Sequence, residues 1–85
     1  MTTIWKYTLQ IDDGEMIDMP RGARPLAVQV QAGDMCLWAA VDSRAPLVRH
    51  KFNIGGTGHP LPDGEYIGSV QDGPYVWHIF DGGEV

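Results

Sequence analysis

Eighty-five residues with a formal net charge of −5 suffice for one domain around one small core. The acids are scattered and no basic face is legible, which argues against general DNA or RNA binding, and no apolar run approaches a membrane span. The single cysteine, Cys36, excludes an internal disulfide and a cysteine zinc cluster.

Hydropathy alternates with period two along most of the chain, the mark of half-buried strands. Residues 4–11 are the first, with Trp5, Tyr7, Leu9 and Ile11 on one face. Asp12-Asp13-Gly14 is a turn, and a short strand over 15–19 ends at Pro20. Residues 20–25 form a loop. Strand 26–31 alternates cleanly, with Leu26, Val28 and Val30 inward, and Ala32-Gly33-Asp34 turns the chain. Residues 35–41 are apolar on both faces, as in a central strand covered on both sides. Strand 47–54 puts Val48, His50, Phe52 and Ile54 on one side and Arg49 and Lys51 on the other. The longest irregular segment, 55–64, comes next. Strands 66–71 and 75–80, joined at Asp72-Gly73-Pro74, complete the count.

The expected fold is all-β: a single domain over 1–85, a small antiparallel sandwich or partly open barrel of about seven short strands. Eleven glycines and six prolines suit so many turns. Strands 26–31, 35–41 and 47–54 are expected to pair in sequence, and Val28, Val30, Leu37, Trp38, Phe52 and Trp77 to form the core. A chain of this size buries only roughly 60–65% of its unfolded surface, which favours self-association into a homo-oligomer. No secretory signal opens the sequence.

Several constellations bear on chemistry. Three of the four residues Gly55, Gly56, Thr57 and Gly58 are glycine, and such a loop lets backbone N–H groups approach a phosphate or carboxylate. It is not a P-loop, since no lysine comes after it and no helix opens, and a bulged turn that needs positive φ is the preferred reading of its glycines over an anion cradle. His50, His59 and His78 match no metal-ligand spacing, so neither a metal nor a cofactor is expected. His50 and His78 each lie on an apolar strand face and read as hydrogen-bonded core residues. For nucleophilic catalysis, Thr57 stands near His59 and Asp81 is within reach of His78, but no elbow motif surrounds them. Cys36, among apolar neighbours, reads as an inert thiol. Trp5, Trp38, Trp77, Tyr7, Tyr66 and Tyr75 mostly fill the core, and any left exposed would stack a base or anchor a partner.

The chain resembles a family of small phage and prophage proteins. The resemblance rests on Ile4-Trp5-Lys6-Tyr7, Met19-Pro20-Arg21-Gly22-Ala23, Val28-Gln29-Val30-Gln31 and Leu37-Trp38-Ala39-Ala40-Val41-Asp42. It continues through Gly56-Thr57-Gly58-His59-Pro60, Ile67-Gly68-Ser69 and Val76-Trp77-His78-Ile79-Phe80. It implies phage origin and an accessory rather than core virion role, and it carries over no site residue. The lack of a signal or span makes the cytoplasm, here that of the host cell, the expected compartment.

An accessory phage protein without a catalytic signature is expected to work by binding. The leading expectation is counter-defence: inhibition of a host antiviral system, by binding a protein component or by sequestering a nucleotide signal. On the ligand route, Gly56, Thr57, Gly58 and His59 meet the ligand with Arg49 and Lys51. Arg21 and Arg24, flanking the first loop, are candidates for partner contact. Membrane attachment is not expected. A structural or virion-associated module is the alternative, and a histidine-dependent hydrolase ranks third.

Overall fold

A computed structural model describes residues 1–11 and 14–85, so the expected turn at Asp12 and Asp13 lies outside the described residues. The described chain forms seven strands: β1 (Thr2–Thr8), β2 (Glu15–Pro20), β3 (Arg24–Gln31), β4 (Asp34–Asp42), β5 (Leu47–Gly56), β6 (Glu65–Asp72) and β7 (Tyr75–Glu84). They make two antiparallel sheets, ordered β1-β4-β3 and β2-β5-β7-β6, packed face to face as a sandwich. No described helix is long and apolar enough to cross a membrane.

Turn chemistry explains the hairpins. Between β3 and β4, Ala32 and Gly33 both have positive φ, 51° and 83°, as a two-residue type I′ turn requires. Between β6 and β7, Gly73 takes the first central position at φ 58°, ahead of Pro74. That is the type II′ arrangement. At Pro20–Ala23 the Ala23 N–H donates to Pro20 O at 3.0 Å and Gly22 has φ 82°, a type II corner. This corner carries the chain from β2 in one sheet to β3 in the other, so the loop expected over 20–25 is shorter than its composition suggested.

The expected serial pairing holds for β3 with β4 and fails for β5. Residues 43–46 carry the chain across the sandwich, where the Arg21 N–H donates to Pro46 O at 2.8 Å. β5 therefore pairs with β2 and β7. Its inward residues Phe52 and Ile54 join Leu37, Ala39 and Val41 of β4, with Met19, Val28, Val70 and Ile79, in one buried cluster.

Three expectations about facing need correction. Leu26 is 44% exposed because it is the extra residue of a bulge: Pro25 pairs with Ala39 and Ala27 with Trp38. Val30 is 37% exposed, close to the exposed hairpin tip at Ala32 and Gly33. Trp38 is half-buried on the outer face of β4, between Lys6 and Ala27 in register, because alternate residues Leu37 and Ala39 take the inner face. β4 is central within its sheet, but only its inner face is fully covered. Trp77 packs against the core without being fully buried.

A polar pair of the buried His50 and the half-buried Asp81 ties β5 to β7. His50 is 3% exposed, stacks on Phe52 at 4.8 Å, and its Nε2 lies 2.5 Å from Asp81 Oδ1. The same carboxylate oxygen accepts the Gly83 N–H at 2.8 Å. Reading His50 as a hydrogen-bonded core histidine is correct.

Candidate functional site

The longest loop, 57–64, folds back over the outer face of the four-stranded sheet. It starts with a tight turn in which the His59 N–H donates to Gly56 O at 3.1 Å and Gly58 has φ 89°, the type II pattern. Farther on, Pro62 lies over Gly55, where a Cβ would come within 2.7 Å of the proline ring. Glycine at 55 thus lets the loop lie flat on β5. The Asn53 side-chain amide donates to Asp63 O at 2.8 Å and pins the returning chain.

Beneath the loop, alternation selects which side chains of β7 face it. Trp77 and Ile79 point to the core, so His78 and Phe80 point outward. The expectation that His78 is a core histidine is therefore corrected. Its face was assigned with Val76 and Phe80, and that face is the outer one.

β6 contributes through a bulge. Tyr66 pairs with Phe80, Gly68 with Ile79 and Ser69 with His78, which makes Ile67 the extra residue. In a regular strand, residues three apart lie on opposite faces. The bulge puts Tyr66 and Ser69 on the same face, and their hydroxyls meet at 2.7 Å. Tyr66 also packs edge-on against Phe80, with centroids 5.5 Å apart.

These placements produce a continuous polar chain. Thr57 Oγ1 lies 2.8 Å from His78 Nε2, Ser69 Oγ lies 2.7 Å from His78 Nδ1, and Tyr66 OH completes it. A neutral imidazole has one N–H and one lone pair, so one hydroxyl donates to the ring while the other accepts from it. When Thr57 donates to Nε2, the Nδ1 proton goes to Ser69, Ser69 donates to Tyr66, and the Tyr66 O–H is free. In the opposite tautomer every bond reverses and the Thr57 O–H is free. Each arrangement leaves one donor at one end of the chain.

The chain opens on a cleft of about 290 Å³ whose wall includes Thr57, His59, Leu61, Tyr66, His78 and Phe80. A second cleft of about 450 Å³ lies across the same loop and includes Lys51, Asn53, His59 and Asp63. The four loop residues singled out from sequence, Gly56, Thr57, Gly58 and His59, all line the first cleft, and Lys51 lines the second. Arg49 lines neither; it sits on β5 opposite Asp18, with Nε 3.9 Å from the carboxylate, a solvated pair. Arg24 borders a third hollow of about 310 Å³ on the far flank of Tyr66, while Arg21 is exposed at the type II corner.

The anticipated catalytic neighbours are not brought together. Thr57 pairs with His78 instead of His59, and Asp81 pairs with the buried His50. Hydroxyls occupy both nitrogens of His78, so the ring is oriented by Ser69 or Thr57 and by no carboxylate. Among the described residues no three His, Cys, Asp or Glu side chains gather as metal ligands.

Sequence reading named His78 and Tyr66, but as core residues or, for His78, as a partner of Asp81, and it missed Ser69 and Phe80 as site residues. For Ser69 the signal lay in Ile67-Gly68, since a glycine inside a strand marks a bulge or close backbone approach. Here a Cβ on Gly68 would lie 3.0 Å from Val28 of the facing sheet.

Residues 1–84 match the family model described as a domain of unknown function, DUF7352. The chain belongs to that family. No curated protein and no solved structure matches it. In this DUF7352 chain the family match spans the whole sandwich, including every residue of the cleft.

Proposed function

We propose that this DUF7352 chain is a non-enzymatic binding protein whose cleft takes a nucleotide-type small ligand. The observation that carries the reading is the Thr57–His78–Ser69–Tyr66 chain opening on an aromatic-walled cleft. A nucleobase has an apolar face and an edge of mixed donors and acceptors. Tyr66 and Phe80 suit the face, and a hydroxyl chain that can reverse its polarity suits the edge. Cations border both sides: Lys51 across the loop and Arg24 across Tyr66. Each is a partner for the phosphates of such a ligand.

In the phage setting implied by the sequence resemblance, capture of a nucleotide signal would blunt a host antiviral response. The test is a thermal-shift screen against mono-, di- and cyclic nucleotides. A ligand at 100 times its Kd adds about 2.7 kcal/mol of stability, a shift of several degrees or more in a domain this small. A stabilising nucleotide whose effect disappears in Thr57→Ala and His78→Ala supports the reading. A screen silent for all nucleotides removes it and leaves a protein partner as the target.

A further inference from the structure

We infer that β1 is a dimerisation edge, pairing antiparallel with β1 of a second copy around Trp5. The argument is independent of the cleft and starts from the backbone. The Leu9 N–H donates to Met35 O and the Ser43 N–H donates to Met1 O, and each residue is opposite the other in the extended β1–β4 register. Odd-numbered residues of β1 are therefore the hydrogen-bonded partners of β4. Thr2, Ile4, Lys6 and Thr8 then direct their N–H and C=O groups away from the sheet. Among the described residues nothing pairs with this row of donors and acceptors on an exposed strand.

Natural sheets protect such edges with proline, bulges, charge or a covering element. β2, the other outer edge, has Asp18 and ends in Pro20. β3 has Pro25 and a bulge, and it packs along β6, which is itself bulged. Among the described residues β1 has one charge, Lys6, and no proline, no bulge and no covering element. It runs seven residues in unbroken register with β4, and β-branched and aromatic residues fill every position but Lys6. Even Lys6 is drawn back over its own sheet, where its ammonium donates to Gln31 Oε1 at 2.9 Å.

One register meets every free group. An antiparallel partner must bond even-numbered residues to even-numbered residues. With Trp5 facing Trp5 across a two-fold axis, Thr2 pairs with Thr8 and Ile4 with Lys6, so the whole strand is used. This register keeps the two Lys6 ammoniums apart. It also covers Ile4, which is 59% exposed, and Trp5, which is 39% exposed. The two three-stranded sheets then join as one continuous sheet of six.

The test is the mass in solution of the 85-residue chain, measured by light scattering at micromolar concentration, with two kinds of variant. Ile4→Pro removes an outward N–H and leaves the β1–β4 ladder intact, because proline is tolerated where the N–H faces solvent. Trp5→Cys sets two thiols in a facing, non-hydrogen-bonded pair, with Cα atoms ~4.5–5.5 Å apart, within disulfide reach. Lys6→Cys is the control, since position 6 faces position 4 of the partner. The expected results are a wild-type dimer, a folded Ile4→Pro monomer, and a disulfide-linked dimer for Trp5→Cys but not for Lys6→Cys. A monomeric wild type, a dimer that survives Ile4→Pro, or equal cross-linking of the two cysteine variants would overturn the inference.

Discussion

Tyr7 shows how one polar atom sets a pH limit. Its hydroxyl is buried without a partner among the described residues, and burial raises its pKa above the ordinary 10.0. The neutral phenol is thus favoured in the folded state. Its contribution is fully present below pH 10.0 and is lost as pH rises through the higher native value. Alkaline unfolding followed by circular dichroism should be less steep above about pH 10 in Tyr7→Phe than in wild type. Near neutrality Tyr7→Phe should match or exceed the wild-type melting temperature, since it removes an unsatisfied polar group. Removing one member of the His50–Asp81 pair leaves a polar atom unsatisfied where Tyr7→Phe removes one. Asp81→Ala strands a histidine that is 3% exposed, and should cost about 1–3 kcal/mol in a denaturant melt. Leu37, fully buried at the sandwich centre, should cost ~2–5 kcal/mol on replacement by alanine. Leu37 and His50 were legible beforehand and the pairing of Asp81 was not. Leu37 stands in an apolar run and His50 between Val48 and Phe52, whereas nothing near Asp81 announced its partner on a distant stretch of the chain.

At the scale of elements, alternation located all seven strands but could not choose their faces. Val76-Trp77-His78-Ile79-Phe80 has large side chains on both faces, and only the opposing sheet decides that Trp77 and Ile79 go inward. Bulges were hidden for the same reason: an extra residue flips the facing of its successors in the strand without changing the composition. The turn between β3 and β4 shows the local chemistry most openly. Ala32 has φ 51°, a left-handed conformation that costs an alanine about 1–2 kcal/mol and suits asparagine far better. Ala32→Asn should therefore raise thermal stability by up to about 1 kcal/mol. A melt that falls instead would mean the turn is not held as described. Gly55 makes the contrary forecast. Gly55→Ala pushes a methyl into Pro62, displaces the loop from the sheet and should weaken any ligand held in the cleft.

For the whole molecule, the two sheets set the core between them and leave the site outside it. The cleft is built on the solvent face of β5, β6 and β7, and the loop 57–64 forms its lid. The glycine-rich loop was legible as a place where backbone can approach a ligand. The floor beneath it was not, because His78, Ser69 and Tyr66 come together only through a strand pairing and a bulge. This division makes the binding claim separable from stability, since Thr57, Ser69 and Tyr66 are exposed and lie outside the buried core. The most direct measurement is titration calorimetry of the best stabilising nucleotide against wild type, Tyr66→Phe and His78→Ala. Tyr66→Phe keeps the ring and removes one end of the hydroxyl chain, so affinity should fall ~5–20-fold, about one hydrogen bond. His78→Ala breaks the chain at its centre and should reduce affinity further, with melting temperatures of the free proteins close to wild type. Wild-type affinity in both variants would contradict the account.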